Sequence, residues 1–197
     1  NSENNGICFI YSEYLKNGVY PMALYLETLG YQLAYIDNGE IKYKHLLKNT
    51  GKIDNNGKYY ILLTGGVSDK ELMYLINEVK GIGKSGLPNS RAQHIQCIIG
   101  SSKVEVGFSL WNVRQVHIME PWYNFSKTDQ VIGRAFRSNS HVSLDEKERD
   151  VTVFYHNVVY STAEGSKSKE YYERSLKKQE DIDKIACELK KNAIDYH

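Results

Sequence analysis

Five short apolar runs, rich in β-branched and aromatic residues, constrain this chain more than any other feature. They are ICFIYS (7–12), YYILLTGG (59–66), IQCIIG (95–100), VRQVHIME (113–120) and VTVFYHNVVY (151–160). Each has the length and composition of a buried strand. The segments between them carry helix punctuation. YPMALYLETLGY has Pro21 near its start and Gly30 at its end. SDKELMYLINEVKG offers Ser68 as cap and Glu71, three residues on, as its capping-box partner. Strands alternating with helices predict an α/β fold, a three-layer sandwich around a mostly parallel central sheet. A long charged helix, SKSKEYYERSLKKQEDIDKIACELKKNAIDYH, closes the chain. Such sheets bind ligands at the carboxyl ends of their strands, which points to 64–66, 100–102 and 120–122. Two segments break the alternation. Residues 37–58 are polar and Gly/Asn-rich and predict an exposed excursion; residues 81–94 predict a loop.

Bulk composition narrows the function classes. The chain has 197 residues, 41% of them hydrophobic, enough for one domain with a substantial core. Its 25 basic residues against 24 acidic ones argue against a polybasic nucleic-acid binder, but leave room for a local basic groove. The cysteines Cys8, Cys97 and Cys187 are far apart and form no CxxC pair, so neither a disulfide framework nor a zinc site is expected. No signal-peptide pattern stands out, and no apolar run approaches the roughly 18 residues that span a bilayer. A cytoplasmic, membrane-free protein is expected. The chain starts without methionine and runs directly into a strand pattern, as expected of a piece of a longer protein.

GIGKSG, within 81–94, imitates a phosphate-binding loop. The full motif needs a further glycine at position 78, which is Glu78, and a preceding strand where this chain has a helix pattern. It is read as a flexible loop, so no triphosphate cradle is recognised in the chain.

The most informative stretch is TDQVIGRAFRSNSH (128–141). With 126–137 helical, capped by Ser126 or Thr128, Gln130, Gly133, Arg134 and Arg137 share one stripe. Val131, Ile132, Ala135 and Phe136 fall on the opposite face, expected to pack on the sheet. A glycine inside a helix costs about 1 kcal/mol relative to alanine. Close approach of a neighbouring backbone or ligand is the expected reason for it. Two arginines on one stripe suit a shared anionic target, because each guanidinium donates a fork of hydrogen bonds and keeps its charge. Alternatively they pair with Asp129, Asp145 or Glu146 at the surface.

Gln130-x-x-Gly133-Arg134-x-x-Arg137 resembles motif VI of superfamily 2 helicases and translocases. GSSKVEVGFSL (100–110) resembles their motif V, with Ser101 at the Thr position and Gly107 at the glycine. Ser109 stands where the family has Asp or Asn. ICFIYS is similar to motif IV, which opens the second RecA-like lobe. IGRAFRSNSHVSLDEKERDVTVFYH is closest in look to the nucleoside triphosphate phosphohydrolase I and early-transcription-factor ATPases of poxviruses and other large DNA viruses.

The resemblance implies a helicase C-terminal domain over 1–160 with the insertion at 37–58, and a charged helical extension over 161–197. It implies ATP and Mg²⁺ bound in the full-length parent, between this lobe and an N-terminal RecA-like lobe of the same chain. Arg137 would be the arginine finger, Arg134 would contact or support the γ-phosphate, and Gln130, Gly133, Gly107 and Ser109 would adjoin the nucleotide. Ser101, Ser102, Thr64 and Gly65 would touch DNA or RNA phosphates. Viral transcription machinery is an implied partner. Without Walker A and B motifs, this stretch alone is expected to be inactive. The competing expectations are a non-catalytic interaction module and a lobe of a restriction or remodelling motor. Two other features stay open. Trp122 and Tyr123 either stack on a base or adenine, or cover the sheet edge. His141 is expected to cap the turn after the helix, not to bind metal.

Overall fold

The computed structural model describes residues 6–47, 57–105, 108–122, 125–158 and 167–192. Seven strands form one sheet: β1 (Ile7–Tyr11), β2 (Gln32–Asp37), β3 (Glu40–Lys44), β4 (Tyr59–Leu63), β5 (Ile95–Gly100), β6 (Val113–Ile118) and β7 (Thr152–Tyr155). Their order is β3-β2-β4-β5-β1-β6-β7. Every pairing is parallel except β2 with β3. The helices are α1 (Tyr20–Thr28), α2 (Asp69–Lys80), α3 (Phe125–Ala135) and α4 (Lys167–Lys191).

The three layers follow from alternation along the strands. Ile10, Tyr60, Cys97 and Ile99 meet Val19, Ala23 and Leu26 of the α1 layer. Phe9, Ile61, Ile98 and Val116 meet Leu72, Ile76 and Val79 of α2 and Val131 and Ala135 of α3. Burying both faces of the central strands explains their near-continuous apolar runs. Helix ends match their local signals. Pro21 stands in the first turn of α1. Ser68 and Glu71 form the reciprocal capping box of α2, and Gly81 closes that helix in the left-handed conformation.

The excursion expected at 37–58 is exposed, but part of it is regular. Asn38 and Gly39 both have positive φ (51° and 77°), as a two-residue hairpin turn requires, and Asp37 pairs with Glu40 across it. The turn folds β3 back as an antiparallel edge strand. The fully buried carboxylate of Glu27, on α1, then holds the chain that leaves β3. It accepts hydrogen bonds from Leu46 N (2.7 Å), Leu47 N (2.9 Å) and Tyr60 Oη (3.0 Å). The remainder, 48–56, lies outside the described residues.

Candidate nucleotide and nucleic-acid surfaces

The residues singled out from sequence divide into two groups at opposite ends of the sheet. The first group lies at the carboxyl ends of β4 and β5. Ser101 N donates to Leu63 O at 3.1 Å, which brings 64–66 beside 101–102. Thr64 and Ser101 are buried, whereas Gly65 and Ser102 are exposed. The surface offered here is therefore the backbone of 65–66 and the Ser102 side chain. The Ser101 hydroxyl is tucked inside. Gly100 is needed for this turn: a Cβ there would stand 2.3 Å from Val104 Cγ2 and 3.0 Å from Phe9 Cε2. Its absence lets Val104 fold onto the sheet.

The second group gathers around the end of α3. Arg134 O accepts from Leu110 N at 2.8 Å, and Ser140 O accepts from Asn112 N at 3.0 Å. Asn112 O in turn accepts from Ile7 N, at the start of β1. The arginines therefore lie toward the amino ends of the strands, not at the carboxyl ends that the general rule for such sheets picked out. Arg137 is exposed, and its Nη1 donates to Ser109 Oγ at 3.0 Å. The two motifs thus meet directly, with Ser109 orienting Arg137. Among the described residues no carboxylate pairs with Arg137. Asp145, one of the surface partners considered for the arginines, is bound to Arg91 instead.

Three expectations for this helix need correction. It begins at Phe125, so Ser126 and Thr128 lie inside it and do not cap it. It ends at Ala135, so Arg137 follows the helix, fixed by Ser140, whose Oγ accepts from Arg137 N (3.3 Å) and donates to Arg137 O (2.8 Å). Phe136 is 60% exposed and does not pack on the sheet. The early end of the helix swings it outward. Gln130 is exposed. A Cβ at Gly133 would meet nothing within 4 Å, so no neighbour among the described residues accounts for the glycine. Gly107 lies outside the described residues, as does Tyr123.

His141 is buried under the turn, as expected of a capping residue. Its Nε2 donates to Val113 O at 2.6 Å, and Nδ1 meets Ser140 Oγ at 2.8 Å. Among the described residues no His, Cys, Asp and Glu group has the geometry to hold a metal. A shallow concavity of about 240 Å³ opens beside Arg137, lined also by Phe136, Asn139, Val142 and Arg149. Arg149, whose Nε donates to Leu144 O at 2.9 Å, stands in the charged turn DEKERD of the sequence, and only the fold brings it to the wall of this concavity.

The carboxyl ends of β1 and β6 carry a further polar network. Ser12 Oγ donates to Glu120 Oε1 at 2.6 Å, and Glu13 N donates to Glu120 Oε2 at 3.2 Å. Burial pushes the Glu120 carboxyl up from its ordinary range against these hydrogen bonds. Burial acts the same way on Glu13, but Lys127 (2.7 Å) and Tyr11 Oη (2.8 Å) outweigh it and hold that carboxyl below its usual range.

No protein-family model matches the chain. Similar curated proteins do exist. A protein of Acanthamoeba polyphaga mimivirus that carries the name ATP-dependent RNA helicase is 32% identical over 74% of this chain and 24% of its own length. The termination factor NPH-I homologue of African swine fever virus is 27% identical over 96% of this chain and 30% of its own. The killer plasmid pGKL-2 helicase of Kluyveromyces lactis is 27% identical over 92% of this chain and 26% of its own. The chain thus spans less than a third of the length of these relatives. Among solved structures, the C-terminal part of the Fun30 ATPase domain superposes with a TM-score of 0.53 at 15% identity, over 86% of this chain and 39% of that one. Among the described residues no helix is long and apolar enough to cross a membrane.

Proposed function

For a chain homologous to viral and plasmid helicases over most of its length, and folded like the C-terminal RecA-like lobe of superfamily 2, we propose the role of second lobe in an ATP-dependent helicase or translocase. The observation that carries the proposal is Arg137. Its guanidinium is exposed, oriented by Ser109 and unopposed by any described carboxylate. A fixed cation of this kind suits a phosphoryl group that spreads negative charge during transfer. In this reading Arg137 is the arginine finger, with Arg134, Gln130, Gly133 and Ser109 around the phosphates. Gly107 adjoins the nucleotide in the same reading.

The parent supplies the Walker motifs, and holds ATP and Mg²⁺ on its N-terminal lobe. DNA or RNA runs past the turns of Thr64, Gly65, Ser101 and Ser102, contacted through the exposed backbone of 65–66 and the Ser102 hydroxyl, with Thr64 and Ser101 shaping the turns from inside. These groups read phosphates, not base identity. The lobe occupies 1–160 and α4 belongs to an extension over 161–197. A role in viral transcription is part of the proposal, supported by the termination-factor name that the African swine fever virus relative carries.

Two results test the proposal. The 197-residue chain with ATP, Mg²⁺ and single-stranded nucleic acid is expected to show only background turnover. Phosphate release well above background, and lost in Arg137→Ala, would overturn the assignment of the Walker motifs to the parent. Gly133→Ala is expected to stabilise the isolated chain by about 0.5–1 kcal/mol, since the methyl meets open space. The same change in the parent is expected to slow stimulated ATP hydrolysis several-fold, because the open stripe receives the opposing lobe. Unchanged hydrolysis would remove Gly133 from the interface.

A further inference from the structure

The strand order places four carboxyl ends side by side: β4, β5, β1 and β6. The first two carry Thr64 to Gly66 and Ser101 to Ser102. The next two carry Ser12 to Tyr14 and Glu120 to Trp122. At a sheet spacing of about 4.8 Å, β6 stands about 10 Å from β5, within reach of neighbouring nucleotides on one strand. At that end of the row lies a concavity of about 230 Å³, lined by Tyr14, Pro121, Trp122 and Tyr171.

Three separate segments build it. Tyr14 follows β1, Pro121 and Trp122 follow β6, and Tyr171 comes from the first turns of α4. The α4 wall is pinned in place: Ser175 Oγ meets both Trp122 O (2.8 Å) and Tyr171 O (2.7 Å). Tyr172, the next residue, turns the other way to pack against Phe125 and Tyr155. Tyr171 is left free to face the concavity. Tyr14 and Tyr171 are 53% and 47% exposed. Nothing in the core requires aromatic rings at these two places.

We propose that this concavity holds one unpaired nucleobase of the strand that runs along the row of strand ends. The proposal rests on the nucleic-acid reading above and adds a contact to a base where that reading has contacts only to phosphates. Flat rings offer stacking surface to any base, and stacking of this kind tolerates sequence. The charge beside the concavity selects against the other common guest of aromatic walls. Lys127 Nζ already lies 4.4 Å from the Trp122 ring centroid. That face of Trp122 is thereby covered by an ammonium, so a quaternary ammonium guest finds it already taken. The nearby carboxylates are engaged, Glu13 with Lys127 and Glu120 with Ser12.

The test uses the 197-residue chain and a single-stranded oligonucleotide carrying 2-aminopurine, or an abasic site, at successive positions. The expected result is fluorescence quenching at one position. An abasic site there should weaken binding about 5- to 150-fold, the range of one stacked base. Tyr14→Ala and Tyr171→Ala should lose both effects. Tyr14→Phe and Tyr171→Phe should keep them, and all four variants should melt like the parent chain. Strand binding with ordinary salt dependence, but without position-dependent quenching or any loss in the alanine variants, overturns the pocket and leaves the phosphate track standing. Competition by tetramethylammonium also overturns it. Absence of any strand binding sinks the nucleic-acid reading itself.

Discussion

Arg137→Ala in the full-length parent is expected to lower nucleic-acid-stimulated ATP hydrolysis about 10³-fold or more, the scale at which an arginine finger acts. The side chain is exposed, so the fold should survive the change. Loss of rate then reports chemistry and not unfolding, and nucleic-acid affinity should change little. Ser109→Ala is expected to give a smaller loss, about tenfold. It removes one hydrogen bond to a charged group, worth about 1.5 kcal/mol, and leaves the guanidinium present but less well aimed. The ordering of the two variants is the informative part. A Ser109 defect equal to that of Arg137 would mean that the hydroxyl touches the nucleotide itself. Full stimulated activity in Arg137→Ala would instead favour a RecA-like interaction module without a catalytic role. Steady-state phosphate release with saturating single strand separates these outcomes.

Glu27→Ala is expected to destabilise the isolated chain by about 3 kcal/mol, seen as a lower urea midpoint at unchanged slope. Three donors lose their acceptor at once: the amides of Leu46 and Leu47 and the hydroxyl of Tyr60. An unmet buried donor such as the Tyr60 hydroxyl costs about 1–3 kcal/mol, the two part-buried amides less, and water entering the space left by the side chain recovers part of that. Glu27→Gln should cost less, since one oxygen still accepts, although its amide nitrogen then faces a donor. A shift below about 0.5 kcal/mol for Glu27→Ala would show that the segment after β3 is not held by this carboxylate.

What could be read from the linear sequence depended on how local each signal was. The strands β1, β4 and β5 announced themselves because burial on both faces makes each a nearly continuous apolar run, and β6 through its buried Val113, Val116 and Ile118. The capping box of α2 is complete within four residues. By contrast β2 and β3 are half-buried or exposed, and their pattern is diluted by polar positions. The signal that would have found them was present: Asn38-Gly39 is a hairpin turn sequence between two alternating stretches. The Gly- and Asn-rich residues that follow, through 58, outweigh it in composition.

At the candidate site, the residue types were legible and their placement was not. Arg137 and Ser109 are 28 positions apart, and only the return of the chain along the sheet brings them into contact. The carboxyl-end rule located the Thr64 and Ser101 turns and missed the arginines, because α3 runs back along the sheet and delivers them to its far end. The pocket of Tyr14, Trp122 and Tyr171 needs three distant segments, and no spacing along the chain encodes it.

The edges of the sheet bear on how such a lobe can be handled alone. Backbone groups at a sheet margin are templates for pairing with another molecule. One margin here is β3, whose residues include Glu40, Lys42 and Lys44, with Lys42 bound to Asp37 and Lys44 lying over the Tyr35 ring. The other is β7, only four residues long. A second chain adding a strand to β3 would have to bury ammonium and carboxylate groups, and at β7 it would find little ladder to join. Both margins therefore resist strand-by-strand growth between molecules, a property that keeps a mostly parallel sheet from acting as the seed of its own precipitation.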